Sequence, residues 1–526
     1  MRWLLWLLVV LALVDIRAFG LTDLDEGFYA SVAWEMRHSG DWRTPTFMGQ
    51  PWFEKPPLIY WLMVLSMHWL GEHEFALRLP SVLLYALTLT LLSWWGNRRL
   101  GAGAGSWAAL LWGVAPLSLL LARLAITDMA LSFFLTLSLI ALWEVSQAQG
   151  TLRPLGWSLV GGVALGLAVL TKGPLGLGLM ALLYLWNASV LHGQGLRFRW
   201  VVLALLTAVG TALPWYVGVY LQHGAEFFNE FVVRQNLLRF AGGDTAHSVL
   251  PLIQRGDLGG IAAGVAVYLL FYVVVLWLGG LPMGAYLSVL WGREDTPLLR
   301  YLRRWAWLVF GLFTLSFTKL PAYIFPMFSA LALLAGHRIV AVRTMETPAV
   351  VPYRVGVGNM LAVGVGAAVW ASLALFAPLW QHAPWVVAMA WGVPLVAFAC
   401  AKPAAPPLAR WAGVLTLLIG WNGALTGYDR IALQPVRALA LKPPPYRTLV
   451  LYRVNPGYPS LQFYRKGKYA TASQPDSVLN QMQQTGAYCL TTDAAFAQRP
   501  EVFIVAQATV MGRSFYLTAP KYAPID

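Results

Sequence analysis

Residues 47–62 read FMGQPWFEKPPLIYWL, and the middle of this stretch is at odds with both flanks. Glu54 and Lys55 stand between Trp52-Phe53 and, after two prolines, Leu58-Ile59-Tyr60-Trp61. A charged pair is costly inside lipid, and so much aromatic surface is unfavourable in water. The stretch therefore belongs at a boundary between the two, where aromatic rings collect.

The rest of the chain supplies that boundary. Its 526 residues are 58% hydrophobic and only 11% charged, against roughly 25% charged in soluble proteins. This is the composition of an integral membrane protein. Trp (26) and Tyr (21) are numerous enough to form belts at both interfaces. Two cysteines, Cys400 and Cys489, stand in unlike surroundings and predict neither a disulfide framework nor a Cys-x-x-Cys metal site.

Apolar segments near the ~20 residues that cross a bilayer fall at about 3–20, 76–96, 103–122, 129–146, 156–172, 174–191, 200–220, 259–280, 305–319, 322–338, 355–377, 384–400 and 411–428. The stretches 156–191 and 305–338 each read equally as two short helices or one long one. With thirteen spans the basic clusters all fall on one side: Arg2, Arg98-Arg99, Arg153, Arg197 and Arg199, Arg293 to Arg304, Arg338 and Arg343, Lys402 and Arg410. The positive-inside rule makes that side the cytoplasm, so the net charge of +14 records topology and calls for no nucleic acid. The first segment is short enough for a secretory signal, but Asp15, Arg17 and the lack of an A-x-A site favour an uncleaved span. The expected architecture is a polytopic α-helical domain over 1–428, N-terminus inside, and a small outer domain over 429–526.

The acids lie on the other face. The outer loop 21–75 holds Asp23, Asp25, Glu26, Glu35, Asp41, Glu54, Glu72 and Glu74, eight of the chain's 23. Within it, LDEGFYASVAWEMRHSG (24–40) spaces its apolar residues as an interfacial amphipathic helix ending at Gly40. Residues 57–70 read as a second such helix, and EFFNEFVVRQNLLRF (226–240) as a third amphipathic stretch. In the tail, YRTLVLYRV and VFIVAQATVM read as strands, and DSVLNQMQQTG (476–486) as an Asp-capped helix before the strand AYCLTT. This is a small α/β domain without a catalytic motif.

Asp128, Lys172 and Lys319 fall at outer turns between spans. A cation at that depth can hold a lipid phosphate by charge-assisted bonds while apolar walls take the tail. Transporters instead place ionisable groups at mid-membrane and show internal repeats; no repeat is detectable here. A polysaccharide polymerase or ligase, or a lipid-linked sugar flippase, stays open as an alternative.

Four stretches together resemble the GT-C membrane glycosyltransferases, most closely the aminoarabinose transferases that modify lipid A. LDEGFYA (24–30) is similar to the family's acidic motif, with Asp25 leading. FMGQPWFEKPPLIYWL matches its Phe-Glu-Lys-Pro motif. RQNLLRF (234–240) and KLPAYIFPMFSALALL (319–334) resemble the stretches that flank later spans. The resemblance implies thirteen spans with an outer C-terminal domain. It also implies transfer with inversion of a sugar, 4-amino-4-deoxy-L-arabinose or a related one, from polyprenyl (undecaprenyl) phosphate to lipid A or another periplasmic envelope acceptor. A protein O-mannosyltransferase-like activity is the alternative within the class. The implied roles are catalysis or acceptor orientation for Asp25, Glu26 and Asp128, and donor phosphate binding for Lys55, Arg239, Tyr323 and Lys319. Glu54 and His73, with Asp128, are the candidates for a divalent metal such as Zn or Mg. The bland readings are a cap for Asp25, Glu26 or Asp128, lipid anchoring for the lysines and Arg239, an ion pair for Glu54, a belt tyrosine for Tyr323 and a solvated loop residue for His73.

Overall fold

The computed structural model describes residues 2–13, 16–17, 19–23, 25–238, 258–280, 283–292, 296–344, 429–454, 458–510 and 512–521. The expected spans at 355–377, 384–400 and 411–428, together with Arg239 and Cys400, lie outside the described residues.

In chain order the helices are α1 (Arg2–Leu13), α2 (Asp25–Ser39), α3 (Leu58–Leu70), α4 (Glu74–Arg99), α5 (Ala104–Gly113), α6 (Pro116–Ala122), α7 (Asp128–Gln147), α8 (Leu152–Lys172), α9 (Leu175–Gly193) and α10 (Phe198–Phe227). They continue as α11 (Leu258–Gly279), α12 (Pro297–Leu315), α13 (Pro326–Thr344), α14 (Gln434–Ala440), α15 (Ser460–Tyr464), α16 (Pro475–Thr485) and α17 (Ala494–Ala497). The strands are β1 (Thr46–Phe47), β2 (Gln50–Pro51), β3 (Leu449–Tyr452), β4 (Tyr469–Ala472), β5 (Tyr488–Thr491), β6 (Val502–Val510) and β7 (Arg513–Pro520).

Among the described residues, five helices are long and apolar enough to cross a membrane: α4, α7, α8, α9 and α10 with its extension to Leu238. The pair α5–α6, bent by 68°, makes a sixth if it counts as one span. Residues 156–191 resolve into two helices, α8 and α9, because Gly173 (φ 85°) and Pro174 break the chain. In the stretch 226–240, the described residues 226–238 follow a break in α10. A kink at Gly224 (φ 54°) carries α10 into a π-helical turn over Phe228–Leu238. The expected span at 305–319 begins earlier, at Pro297, behind the Thr296 cap, and so takes Arg300, Arg303 and Arg304 into α12.

The chain divides into two units. The first comprises 1–14, 53–59 and 79–370; the second comprises 15–52, 60–78 and 371–526.

In the first unit α8 packs against both α7 and α10. Gly162 and Gly166 permit the α8–α10 approach: a Cβ on Gly162 would come within 2.5 Å of the Ala204 carbonyl, and one on Gly166 within 2.5 Å of Thr211 Cβ. Small residues spaced by four let spanning helices pack this closely. On α10, Leu206, Leu213, Val217 and Leu221 remain exposed on one stripe. Such a stripe is unfavourable in water and suits contact with lipid.

In the second unit the tail folds as a five-stranded sheet of order β4-β3-β5-β7-β6. β3 runs parallel to β4 and β5; β7 is antiparallel to β5 and β6. Alternation along the strands fills both faces. Leu449, Leu451 and Leu490 meet Val436, Leu439 and Leu461, while Val450, Tyr452 and Cys489 meet Val478, Met482 and Phe496. The helix read over 476–486 begins at Pro475 behind Gln474, so Asp476 sits in its first turn and is not its cap.

Candidate active site

The second unit holds the acidic helix α2, whose N-terminal residues are Asp25 and Glu26. Glu26 is fully buried, and Arg78 from the head of α4 donates to both its oxygens at 2.7 and 2.9 Å. The Thr22 N–H donates to the same carboxylate at 2.9 Å. Arg78 also donates to the carbonyls of Ile16, Phe19 and Gly20. Sealed in this way, Glu26 and Arg78 shape the turn that enters α2, and the Glu26 carboxylate is closed to a substrate.

The other loop acids are engaged in a similar manner. Asp23 accepts from the Ser460 N–H at 2.9 Å, at the start of α15. Burial pushes the Asp23 carboxyl up to about 6, against the lowering effect of its bonds to Ser460. Glu35 accepts from the backbone of Met48 and Gly49, at 2.5 and 3.1 Å, and from Gln462 at 2.9 Å. Met48 and Gly49 both have positive φ, 54° and 74°, the two-residue turn that joins β1 to β2. Glu35 thus fixes the hairpin that leads towards the Glu-Lys-Pro stretch. Asp41 accepts from the Arg43 N–H, Glu72 pairs with Arg37 and Lys466, and Glu74 accepts from the Tyr464 hydroxyl at 2.8 Å. Among the eight loop acids, Asp25 alone has an exposed side chain. It lies at a helix N-terminus, where the dipole favours the ionised carboxylate.

In the first unit the motif of the opening stretch forms an ion pair: Lys55 Nζ lies 2.7 Å from Glu54 Oε1, and Lys55 is only 7% exposed. Phe53 packs edge-on against His223 and Phe227 at the kink of α10, with ring centroids 5.1 and 5.2 Å apart. Pro56 and Pro57 then hold the backbone before α3 begins.

Elsewhere in this unit the fold joins three residues that lie far apart in sequence. Asp128, first residue of α7, accepts from Lys172, last residue of α8, at 2.6 Å. The Lys172 ammonium lies 5.0 Å from the centroid of the Tyr323 ring, within cation–π range. Lys319 donates to the carbonyls of Phe313 and Thr314, at 3.1 and 2.7 Å, and sits over the rings of Tyr268 and Tyr272.

The residues named for a metal each have other partners. Glu54 is engaged with Lys55, Asp128 with Lys172. His73 caps the first turn of α4 through the Ala76 N–H, and the Arg17 guanidinium contacts its ring at 2.7 Å. Among the described residues no three His, Cys, Asp or Glu side chains gather as ligands. No step is derived through a metal.

The profile of the dolichyl-phosphate-mannose-protein mannosyltransferases matches residues 4–225. The undecaprenyl phosphate-α-4-amino-4-deoxy-L-arabinose arabinosyl transferase of Pseudomonas paraeruginosa is 31% identical over 439 residues, 77% of this chain and 74% of that protein. Its counterpart in Pseudomonas aeruginosa LESB58 is 32% identical over 427 residues, 76% and 72% of the two chains. This chain belongs to the arabinosyl transferase family. The fold agrees: the crystal structure of ArnT from Cupriavidus metallidurans bound to undecaprenyl phosphate superposes with a TM-score of 0.77, at 23% identity, covering 99% of this chain and 98% of that one. The apo structure of the same protein gives 0.72. The resemblance to the aminoarabinose transferases is thereby borne out.

Within this arabinosyl transferase chain, reasoning from sequence overlooked two residues and undervalued one. Arg78 is a lone arginine at the head of an apolar run, which is itself a signal of a buried partner. Asp23 was one acid among many. Lys172 reads as a lipid anchor until the fold sets it on Asp128.

Proposed function

We propose that this protein is an inner-membrane glycosyltransferase that moves 4-amino-4-deoxy-L-arabinose from undecaprenyl phosphate to lipid A on the periplasmic side. Family membership supports the reaction class and the donor. Thirteen spans, a cytoplasmic N-terminus and a periplasmic tail sheet complete the reading, supported by the basic clusters of the sequence.

In the reaction an acceptor oxygen attacks C1 of the sugar as the C1–O bond to the phosphate breaks. The electron pair leaves with undecaprenyl phosphate, and configuration inverts. Such a step needs a carboxylate near the attacking oxygen and cations on the leaving phosphate. Asp25 takes the first role. Lys55, Arg239 and Tyr323 take the second, with Lys319 beside them. Asp128 and Lys172 act as one unit, the carboxylate holding the ammonium in place and the tyrosine ring of Tyr323 flanking it. Glu26 serves the loop that carries Asp25.

The observation that carries this reading is the buried pair Lys55–Glu54. A lysine 7% exposed and paired with Glu54 can be recruited by an incoming phosphate. Away from water the attraction is stronger than at an open surface.

The test is an assay of the purified full-length protein with undecaprenyl-phosphate-linked aminoarabinose and lipid A. Release of undecaprenyl phosphate together with aminoarabinose on lipid A supports the proposal; no modified lipid A, with donor intact, refutes it. The mannosyltransferase profile over 4–225 favours a second reading, transfer to protein, which predicts label on a polypeptide instead.

A further inference from the structure

α7, α8, α9 and the first turns of α10 line a half-open cavity of about 250 Å³ within the first unit. Its walls on α7, α8 and α10 lie towards the ends of those helices away from the Asp128–Lys172 pair, and its wall on α9, Leu177 to Tyr184, lies in the first half of that helix. That pair joins the start of α7 to the finish of α8. At the other end Gln147 donates to Gln194 at 3.3 Å, bringing together the 147–152 and 193–198 turns. Ser158 precedes Lys172 by fourteen residues of continuous helix, roughly 21 Å of rise.

The walls are almost wholly apolar, with Trp157, Met180 and Trp200 among them. Ser138, Ser158 and Tyr184 interrupt them. Ser158 lines the cavity, is 1% exposed, and its hydroxyl has no hydrogen-bond partner among the described residues. Buried polar groups are normally satisfied, and Ser138, also in the wall, obeys the rule by donating to the Gly161 carbonyl. The Ser158 hydroxyl points to an acceptor that a ligand supplies.

The rim is basic. Arg197 stands at the N-cap of α10 and Arg199 in its first turn, on either side of the wall residue Phe198. Both are exposed, and neither makes an ion pair among the described residues. Arg153, also exposed, lies one turn before Trp157 on α8. Two arginines at the start of a long helix favour an anion.

We propose that this cavity takes one acyl chain of an anionic glycerophospholipid from the leaflet at the Arg197 end. Arg197 and Arg199 hold its phosphate, and Ser158 donates to an ester carbonyl. An apolar slot, a hydroxyl donor at its wall and a double cation at its mouth match the three parts of such a lipid in order. The site is separate from the one proposed for the sugar donor.

The experiment is native mass spectrometry of the full-length protein in detergent, titrated with dioleoylphosphatidylglycerol and, separately, dioleoylphosphatidylcholine. One phosphatidylglycerol per chain is expected, retained at least tenfold better than phosphatidylcholine. Arg197→Gln/Arg199→Gln should lower that retention about tenfold, and Ser158→Ala several-fold. Ala181→Phe, which places a ring in the cavity, should abolish it; the arginine variant carries the test if the phenylalanine variant proves unstable without lipid. Equal retention of both lipids, or undiminished retention in the arginine variant, overturns the proposal. So does stoichiometric displacement by undecaprenyl phosphate, which would assign the cavity to the donor's tail.

Discussion

The Arg78 guanidinium and the Glu26 carboxylate form a two-point ion pair, 2.7 and 2.9 Å, with neither side chain exposed. Removing one partner of a buried pair leaves an uncompensated charge, at a cost of about 3–5 kcal/mol. Arg78→Met should therefore lower the thermal midpoint in detergent sharply, and Glu26→Gln less so. The protein that remains folded should retain turnover within a few-fold. A Glu26→Gln variant of normal stability and no activity would return Glu26 to the catalytic list.

Asp128 and Lys172 give a second pairwise prediction. Lys172→Met should reduce turnover by about 10²-fold, the scale of one lost electrostatic contact in a transition state. It should also destabilise the helix ends, because Asp128 is left buried. In Asp128→Asn/Lys172→Met stability should recover while activity does not. A double-mutant cycle on both quantities checks this; recovery of activity would show that the pair only joins the helices.

Asp23 predicts a pH dependence with a definite sign. Its folded carboxyl, pushed up to about 6 from 3.8, binds a proton more tightly than the unfolded one. The contribution to stability is complete below about pH 4 and is lost as pH rises through about 6, on the order of 2–3 kcal/mol in all. Asp23→Asn keeps an oxygen for the Ser460 N–H and has no proton to lose. The difference in thermal midpoint between wild type and Asp23→Asn should grow in favour of the variant from pH 4.5 to 7. A constant difference would contradict the assignment.

The glycines of α8 set a packing test. Gly166→Leu would force atoms onto Thr211 and the Ala208 carbonyl, 2.5 and 2.7 Å from the first added carbon. Yield of monodisperse protein should fall severely, whereas Gly156→Leu, where an added carbon meets nothing within 4 Å, should be tolerated. Equal yields would mean that α8 and α10 do not pack through this stripe.

Much of this was legible in the residues because membranes make sequence patterns severe. Glu54 and Lys55 stood out against aromatic neighbours, and the helix over 24–40 was visible from its spacing and from Gly40, which adopts φ 72° at its end. Partnerships were not legible. Arg78 lies 52 residues from Glu26, and Lys172 lies 44 from Asp128; no periodicity links such pairs. The strands Tyr469–Ala472 and Arg513–Pro520 also escaped notice. The first is four residues long, and the second carries polar residues among its apolar ones, so neither has a clear alternation. Nor does any sequence pattern link Asp23, Ser31 and Glu35 to residues 459–462, to which they bond.

The most direct measurement is the rate at which purified protein releases undecaprenyl phosphate from its aminoarabinose conjugate in the presence of lipid A. Asp25→Asn and Lys55→Ala should each cut that rate by 10²-fold or more, with thermal midpoints near that of the wild type. Wild-type release by either well-folded variant would contradict the account.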